Sequence, residues 1–271
     1  MEKTQCPGLL KSKFLFGHQR EQKLSLNLVT PQQPPPPSEY NLLLIFESFG
    51  LGYNGLMSDR YDTSHLVEDQ YEPGSNGTVL RNLLGINDPE EMGVAETAAL
   101  WRIQEKLLAE ITSDHSFTPK NICEIHRQWL KSIYTWAGKY RQVNIGKGGF
   151  QFAMSHTIPA LMAEFERTQL RKFTPCLFRN RDEVTHALAE VHVELMLIHP
   201  FREGNGRLGR LVATLMALQA GLPVLDFSIL DGAGREEYFA AVRAGMDRNY
   251  GPMKILFEDI IENSLQILQE H

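Results

Sequence analysis

The sequence predicts an all-α domain, a helical bundle broken once by a short β-hairpin. Three observations carry this expectation. Apolar residues recur at three- and four-residue steps over most of the chain beyond residue 88; a glycine-rich stretch with alternating apolar residues interrupts them between residues 140 and 152; proline, glycine and capping residues stand where the periodic runs begin and end. A chain of 271 residues with 42% hydrophobic content can bury a sizeable core.

The elements follow in order. Gln32-Gln33-Pro34-Pro35-Pro36-Pro37 is a stiff polyproline punctuation, so residues 1–56 read as an N-terminal extension, disordered or not native to the core, or as a regulatory arm, and 57–271 as the domain. Asp88-Pro89-Glu90-Glu91 supplies a cap, a first-turn proline and two acids for a first helix, whose apolar face is read as Val94, Ala98, Trp101, Leu108 and Ile111. Thr118-Pro119 opens a second, with Ile122, Ile125, Trp129, Leu130 and Ile133 on one face. From Tyr140 to Phe152, Val143 and Ile145 alternate with polar residues, and Gly146, Gly148 and Gly149 surround Lys147, as in a hairpin. Helical pattern resumes over Ile158–Leu170, then from Asp182 to Ile198 with a stripe of Val184, Leu188, Val191 and Leu195, then over Arg207–Ala220 with Gly221 and Pro223 as stop signals. Two further helices are expected near 233–247 and 252–268.

Composition excludes several functions. A net charge of −6 is wrong for a phosphate-backbone binder, so no nucleic-acid partner is expected. The most apolar short run, Leu42 to Phe46, falls far below the roughly 18 residues of a membrane span, and no export signal is legible at the start. Cys6, Cys123 and Cys176 form neither a disulfide framework nor a metal knuckle, which fits a reducing cytoplasm.

The chemistry concentrates in His199-Pro200-Phe201-Arg202-Glu203-Gly204-Asn205-Gly206-Arg207-Leu208-Gly209-Arg210. A glycine-rich turn entering a helix leaves backbone N–H groups and the positive end of the dipole facing outward, which suits a phosphate. Arg207 and Arg210 stand three apart on that helix and can reach one multiply charged anion. Glu203 is a hard oxygen donor for Mg²⁺ shared with phosphate oxygens. His199, whose ordinary pKa is about 6.5, can accept the proton of an attacking hydroxyl.

This run is similar to the Fic family pattern His-x-Phe-x-(Asp/Glu)-Gly-Asn-Gly-Arg-x-x-Arg at every defined position, and Tyr134-Thr135-Trp136-Ala137-Gly138 and Val143 to Gly149 resemble the helix end and flap of the same family. The resemblance covers roughly Tyr71 to Leu268. It implies a Fic-fold bundle with the hairpin as a flap beside the active site, and a protein adenylyltransferase that moves AMP from ATP to a Tyr, Thr or Ser hydroxyl of another protein, after the manner of stand-alone bacterial toxins. It also implies roles: His199 as general base, Phe201 holding the loop, and Glu203 as Mg²⁺ ligand. Gly204, Asn205 and Gly206 would form the anion hole, Arg207 and Arg210 would hold the β- and γ-phosphates, and Lys147, Gly148, Gly149 and Phe150 would form the target-docking flap. Lys147 and Gly148 would also border the nucleotide, and Tyr238 would lie near the adenosine or serve as a core aromatic.

Rival readings keep the fold and transfer UMP, phosphocholine or phosphate, or keep it as a non-catalytic binding module; a metal hydrolase lacks further ligands at recognisable spacing. Kinase-like relatives carry Ala and Lys where this chain has Gly204 and Gly206, which favours nucleotide transfer. His126, His186 and His192 are read as structural or solvent-facing. Family members are restrained by (Ser/Thr)-x-x-x-Glu-(Gly/Asn), whose glutamate pairs with the second motif arginine. The sole partial match here is Ser64 to Asp69 with Glu68, so inhibition is expected in trans, from a small antitoxin-like partner donating a glutamate to Arg210.

Overall fold

Among the residues that the computed structural model describes, 63–232 and 234–270, eight α-helical segments and one two-stranded antiparallel hairpin make up the fold. The extension read over residues 1–56 lies outside the described residues. Helix α1 (Pro89–Glu110) starts as expected, Asp88 accepting the Glu91 N–H at 2.9 Å. Its buried face differs from the expected one. Met92, Glu96, Ile103 and Leu107 point inward, whereas Val94 and Trp101 are 56% and 61% exposed. A carboxylate occupies a core position on this helix, and hydropathy alone therefore selected the wrong face.

Helix α2 (Pro119–Leu130) is held by a reciprocal capping box between Thr118 and Asn121. It ends before Ile133, which is buried in the following turn. The hairpin is shorter than the alternation implied: β1 (Gly146–Lys147) pairs with β2 (Phe150–Gln151), Gly146 opposite Gln151 and Lys147 opposite Phe150. Its two-residue turn requires positive φ at both positions, which Gly148 (57°) and Gly149 (76°) supply.

The helix expected over Ile158–Leu170 is α3 (Ile158–Phe165) followed by one π-helical turn, Glu166–Leu170, and the short α4 (Arg171–Phe173). Helix α5 (Arg181–Ile198) is apolar almost all round because it is central: α3, α6 (Asn205–Gln219), α7 (Gly234–Ala244) and α8 (Gly251–Glu270) all pack on it. The α5–α6 connection is therefore held between two core helices. No helix among the described residues is long and apolar enough to cross a membrane.

Candidate active site

Helix α5 ends where His199 enters the left-handed region (φ 50°, ψ 60°), its N–H bonded to the Leu195 carbonyl at 3.0 Å. This conformation costs a non-glycine residue energy, so the surroundings must hold it. The His199 ring stacks on Phe152, with centroids 3.7 Å apart. Its Nδ1 lies 3.2 Å from the Met196 carbonyl, which can only accept, so Nδ1 carries the proton and Nε2 keeps its lone pair. Burial pushes the His199 pKa down to about 4, against the opposing pull of the Met196 carbonyl and Glu203. The ring is therefore neutral at physiological pH.

The loop after it is braced from three sides. Asn205 clamps Phe201, accepting its N–H at 2.9 Å and donating to its carbonyl at 2.8 Å. Phe201 is fully buried and stacks on His126 at 3.9 Å. His126 accepts the Gly138 N–H on Nδ1 (2.8 Å), so its Nε2–H donates to the Glu203 carbonyl (3.0 Å). The histidine read as merely structural thus holds the peptide of the proposed metal ligand. Gly204 caps α6 at φ 85°, and a Cβ there would lie 2.7 Å from Trp129 Cζ3; both the backbone and the contact demand glycine.

Four cations, on α6, the flap and α7, lie in a chain of mutual electrostatic reach. Arg207, its side chain 14% exposed, lies 2.6 Å from Glu96 and 3.4 Å from Glu203, with Trp129 beneath its guanidinium at 4.9 Å. Arg210 forms no salt bridge among the described residues; Tyr238, Arg207 and Asp231 are its charged or titratable neighbours. Lys147 of the flap lies 5.6 Å from the Phe239 ring, and Arg235, which sequence reading passed over, lies 5.7 Å from the same ring. Desolvation, Arg235 and Arg210 pull the Lys147 pKa below its ordinary value. Tyr238 shares a 2.9 Å hydrogen bond with His192, and burial pushes its hydroxyl up to about 12; it stands beside Arg210 and also against the core.

Phe150 pairs with Lys147 in the flap and makes an edge contact with Phe152, which stacks on His199. A second, unforeseen link is Arg141, only 1% exposed, which donates to the carbonyls of His199 (2.8 Å), Val143 (2.7 Å) and Ala153 (2.5 Å). It ties both stems of the flap to the backbone of His199. The Glu68 carboxylate accepts the N–H groups of Gln142 (2.5 Å) and Val143 (3.1 Å), while its carbonyl accepts from Arg202 (2.9 Å). The Glu68 carboxylate is committed to the base of the flap and pairs with neither Arg207 nor Arg210.

Glu203 fits a Mg²⁺ ligand shared with substrate. Its side chain is 46% exposed, and its contacts with Gly204 N–H and Arg207 both fall on Oε1. No group of three or more His, Cys, Asp or Glu among the described residues could hold a metal by itself, so a cation on Glu203 would need phosphate oxygens and water to complete its shell.

The sequence profile of the Fic/DOC family matches residues 116–217. The protein y4lH of Sinorhizobium fredii, named a probable protein adenylyltransferase, is 31% identical over 166 residues, an alignment taking in 59% of this chain and 79% of that one. The protein adenylyltransferase VbhT of Bartonella schoenbuchensis is 30% identical over 183 residues, with 68% of this chain and 36% of VbhT covered. The first curated relatives are much longer, and the chain spans about a third of their length. Among solved structures, the N-terminal Fic domain of a VirB-translocated Bep effector from Bartonella quintana, with bound ADP, superposes with a TM-score of 0.54 at 26% identity, covering 67% of this chain and 89% of that one.

Proposed function

Because the chain belongs to the Fic/DOC family, we propose that it is a protein adenylyltransferase that transfers AMP from ATP to a Tyr, Thr or Ser hydroxyl of a target protein. The observation that carries this reading is the pairing of a neutral His199, with Nε2 bare, and an α6 N-terminus carrying two half-buried arginines, three and six residues beyond Gly204. Helix N-termini with glycine-rich approaches bind phosphates through backbone N–H groups and the dipole. Gly204, Asn205 and Gly206 supply those groups here, with Arg207 on the β- and Arg210 on the γ-phosphate. Glu203 would hold Mg²⁺, which when bound would neutralise charge on the departing pyrophosphate.

Target chains dock as an added strand along the flap, Lys147 to Phe150, whose strand residues Gly146, Lys147 and Gln151 are exposed. His199 Nε2 takes the hydroxyl proton as the oxygen attacks the α-phosphorus in line; the bond to the bridging oxygen breaks and pyrophosphate leaves. Catalysis is positioning and charge stabilisation without a covalent enzyme intermediate. The reaction belongs to the cytoplasm, where ATP is abundant. Restraint comes in trans, from an antitoxin-like partner that donates a carboxylate to Arg210. The support is that Arg210 forms no salt bridge among the described residues, Asp231 acting on it only as a charged neighbour, while Glu68 is occupied elsewhere.

One experiment tests these points together: mass spectrometry of a lysate incubated with the protein and labelled ATP, UTP or CDP-choline. AMP adducts on target hydroxyls are expected from ATP alone; label from another donor would reassign the reaction. Phe150→Ala is expected to lower target modification while ATP affinity holds, and equal losses in both would remove the flap from target docking. Glu68→Gly is expected to leave modification unchanged or lower, since it frees the flap base; a large activation would place the brake within this chain.

A further inference from the structure

The carboxylate that reaches the phosphate site from helix α1 belongs to Glu96. Its Oε2 lies 2.6 Å from Arg207 Nη2, its Oε1 accepts the Tyr134 hydroxyl at 2.7 Å, and its backbone carbonyl accepts the Trp129 indole N–H at 2.9 Å. Trp129 in turn lies under the Arg207 guanidinium. The loop motif contains none of these three residues. Helix α1, helix α2 and the turn after it therefore converge on one motif arginine.

We infer that Glu96 is a positioning residue for Arg207. It takes one end of the guanidinium and leaves the remaining donors to a polyphosphate bound at the α6 N-terminus. The inference rests on the proposed nucleotide reading of that site. Arg207 has five N–H donors in a rigid plane, so fixing Nη2 on one side fixes the direction of Nε and Nη1 on the other. Rotamer entropy that a free arginine would lose on gripping phosphate is lost already in folding. Charge follows the same logic: Glu96, Glu203 and Tyr134 all favour the charged form of Arg207 against desolvation, and its pKa stands above the ordinary value.

The opposite role, an internal brake in which Glu96 competes with phosphate for Arg207, conflicts with the geometry. A competitor must withdraw when substrate arrives. The Glu96 side chain is only 3% exposed and is held by Tyr134 as well, so withdrawal would strand a buried carboxylate.

The test is nucleotide affinity, measured by calorimetry on the full chain with Mg²⁺, because binding is read without any transfer reaction. Glu96→Gln keeps the shape and removes the charge. It is expected to weaken ATP and pyrophosphate binding about tenfold while AMP, which lacks the β- and γ-phosphates, stays within about twofold. Tyr134→Phe removes only the second hydrogen bond and is expected to give the same selective pattern at about threefold, which keeps the inference testable if Glu96→Gln folds poorly. Equal losses for ATP and AMP would reduce Glu96 to a structural residue, and unchanged or tighter ATP binding would overturn positioning in favour of neutrality or a brake. Failure of the wild type to transfer AMP while this selective pattern holds would remove the adenylyl-transfer reading and leave the Glu96 assignment standing.

Discussion

Replacement of His199 by alanine is expected to lower AMP transfer by a factor of about 10²–10⁴, the usual cost of losing a positioned general base, while ATP affinity changes by no more than about twofold. The separation follows from the site: phosphate-binding groups come from the α6 N-terminus, Arg207 and Arg210, whereas His199 belongs to the end of α5. A pH signature accompanies it. Burial places the free His199 near pKa 4, so the base is already deprotonated at pH 6 and loses competence only as pH falls towards that value. The acid limb of kcat/KM is therefore expected below about pH 5, not at the ordinary histidine value of about 6.5. Initial rates from pH 4.5 to 8 decide it. A limb at 6.5 or above, or an alanine variant retaining more than about a tenth of the activity, would remove His199 from the role of base.

Such predictions could be drafted from sequence because the motif is contiguous. A loop and one helix N-terminus carry His199, Glu203, Arg207 and Arg210, so their juxtaposition is local geometry. The hairpin turn was legible for the same reason, since Gly148-Gly149 dictates it. What escaped acts across the fold. Glu96 lies 111 residues from Arg207, and Arg141 reaches His199 across 58. No local pattern distinguishes a glutamate bound for the core from one on a solvated face. Glu96 also misled the reading of α1, because a core position filled by a carboxylate makes the outer stripe of Val94, Ala98 and Trp101 look like the buried one. His126 shows the converse limit: of its two readings, structural or solvent-facing, the structure selects the first, and only the structure reveals that the backbone it holds is that of Glu203. The π turn at Glu166–Leu170 leaves no trace in an apolar period that simply continues.

His126 and His192 together should make the folded state acid-sensitive. Both are buried, with exposures of 0% and 2%, and desolvation pushes each pKa down to about 4. In the unfolded chain each returns to about 6.5, so between these values the unfolded state binds more protons than the native one. Stability is thus fully present above about pH 6.5 and is lost as pH falls through that value towards 4. Between pH 7 and pH 5 the loss amounts to about 2 kcal/mol for each of these two histidines, and His199, which burial also pushes down to about 4, adds a like amount, so the sum is a large share of the 5–15 kcal/mol that a domain commonly holds. The effect reaches the active loop, because a protonated His126 can no longer accept the Gly138 N–H on Nδ1 and must let go of one side of the bridge between Gly138 and Glu203. Urea denaturation at pH 7, 6 and 5 measures the slope, and His126→Gln, although weaker at pH 7, should keep about two thirds of the pH dependence, the part that His192 and His199 supply. A change of less than about 1 kcal/mol over this range in the wild type would mean that at least one of the two rings is hydrated or already charged in the native state.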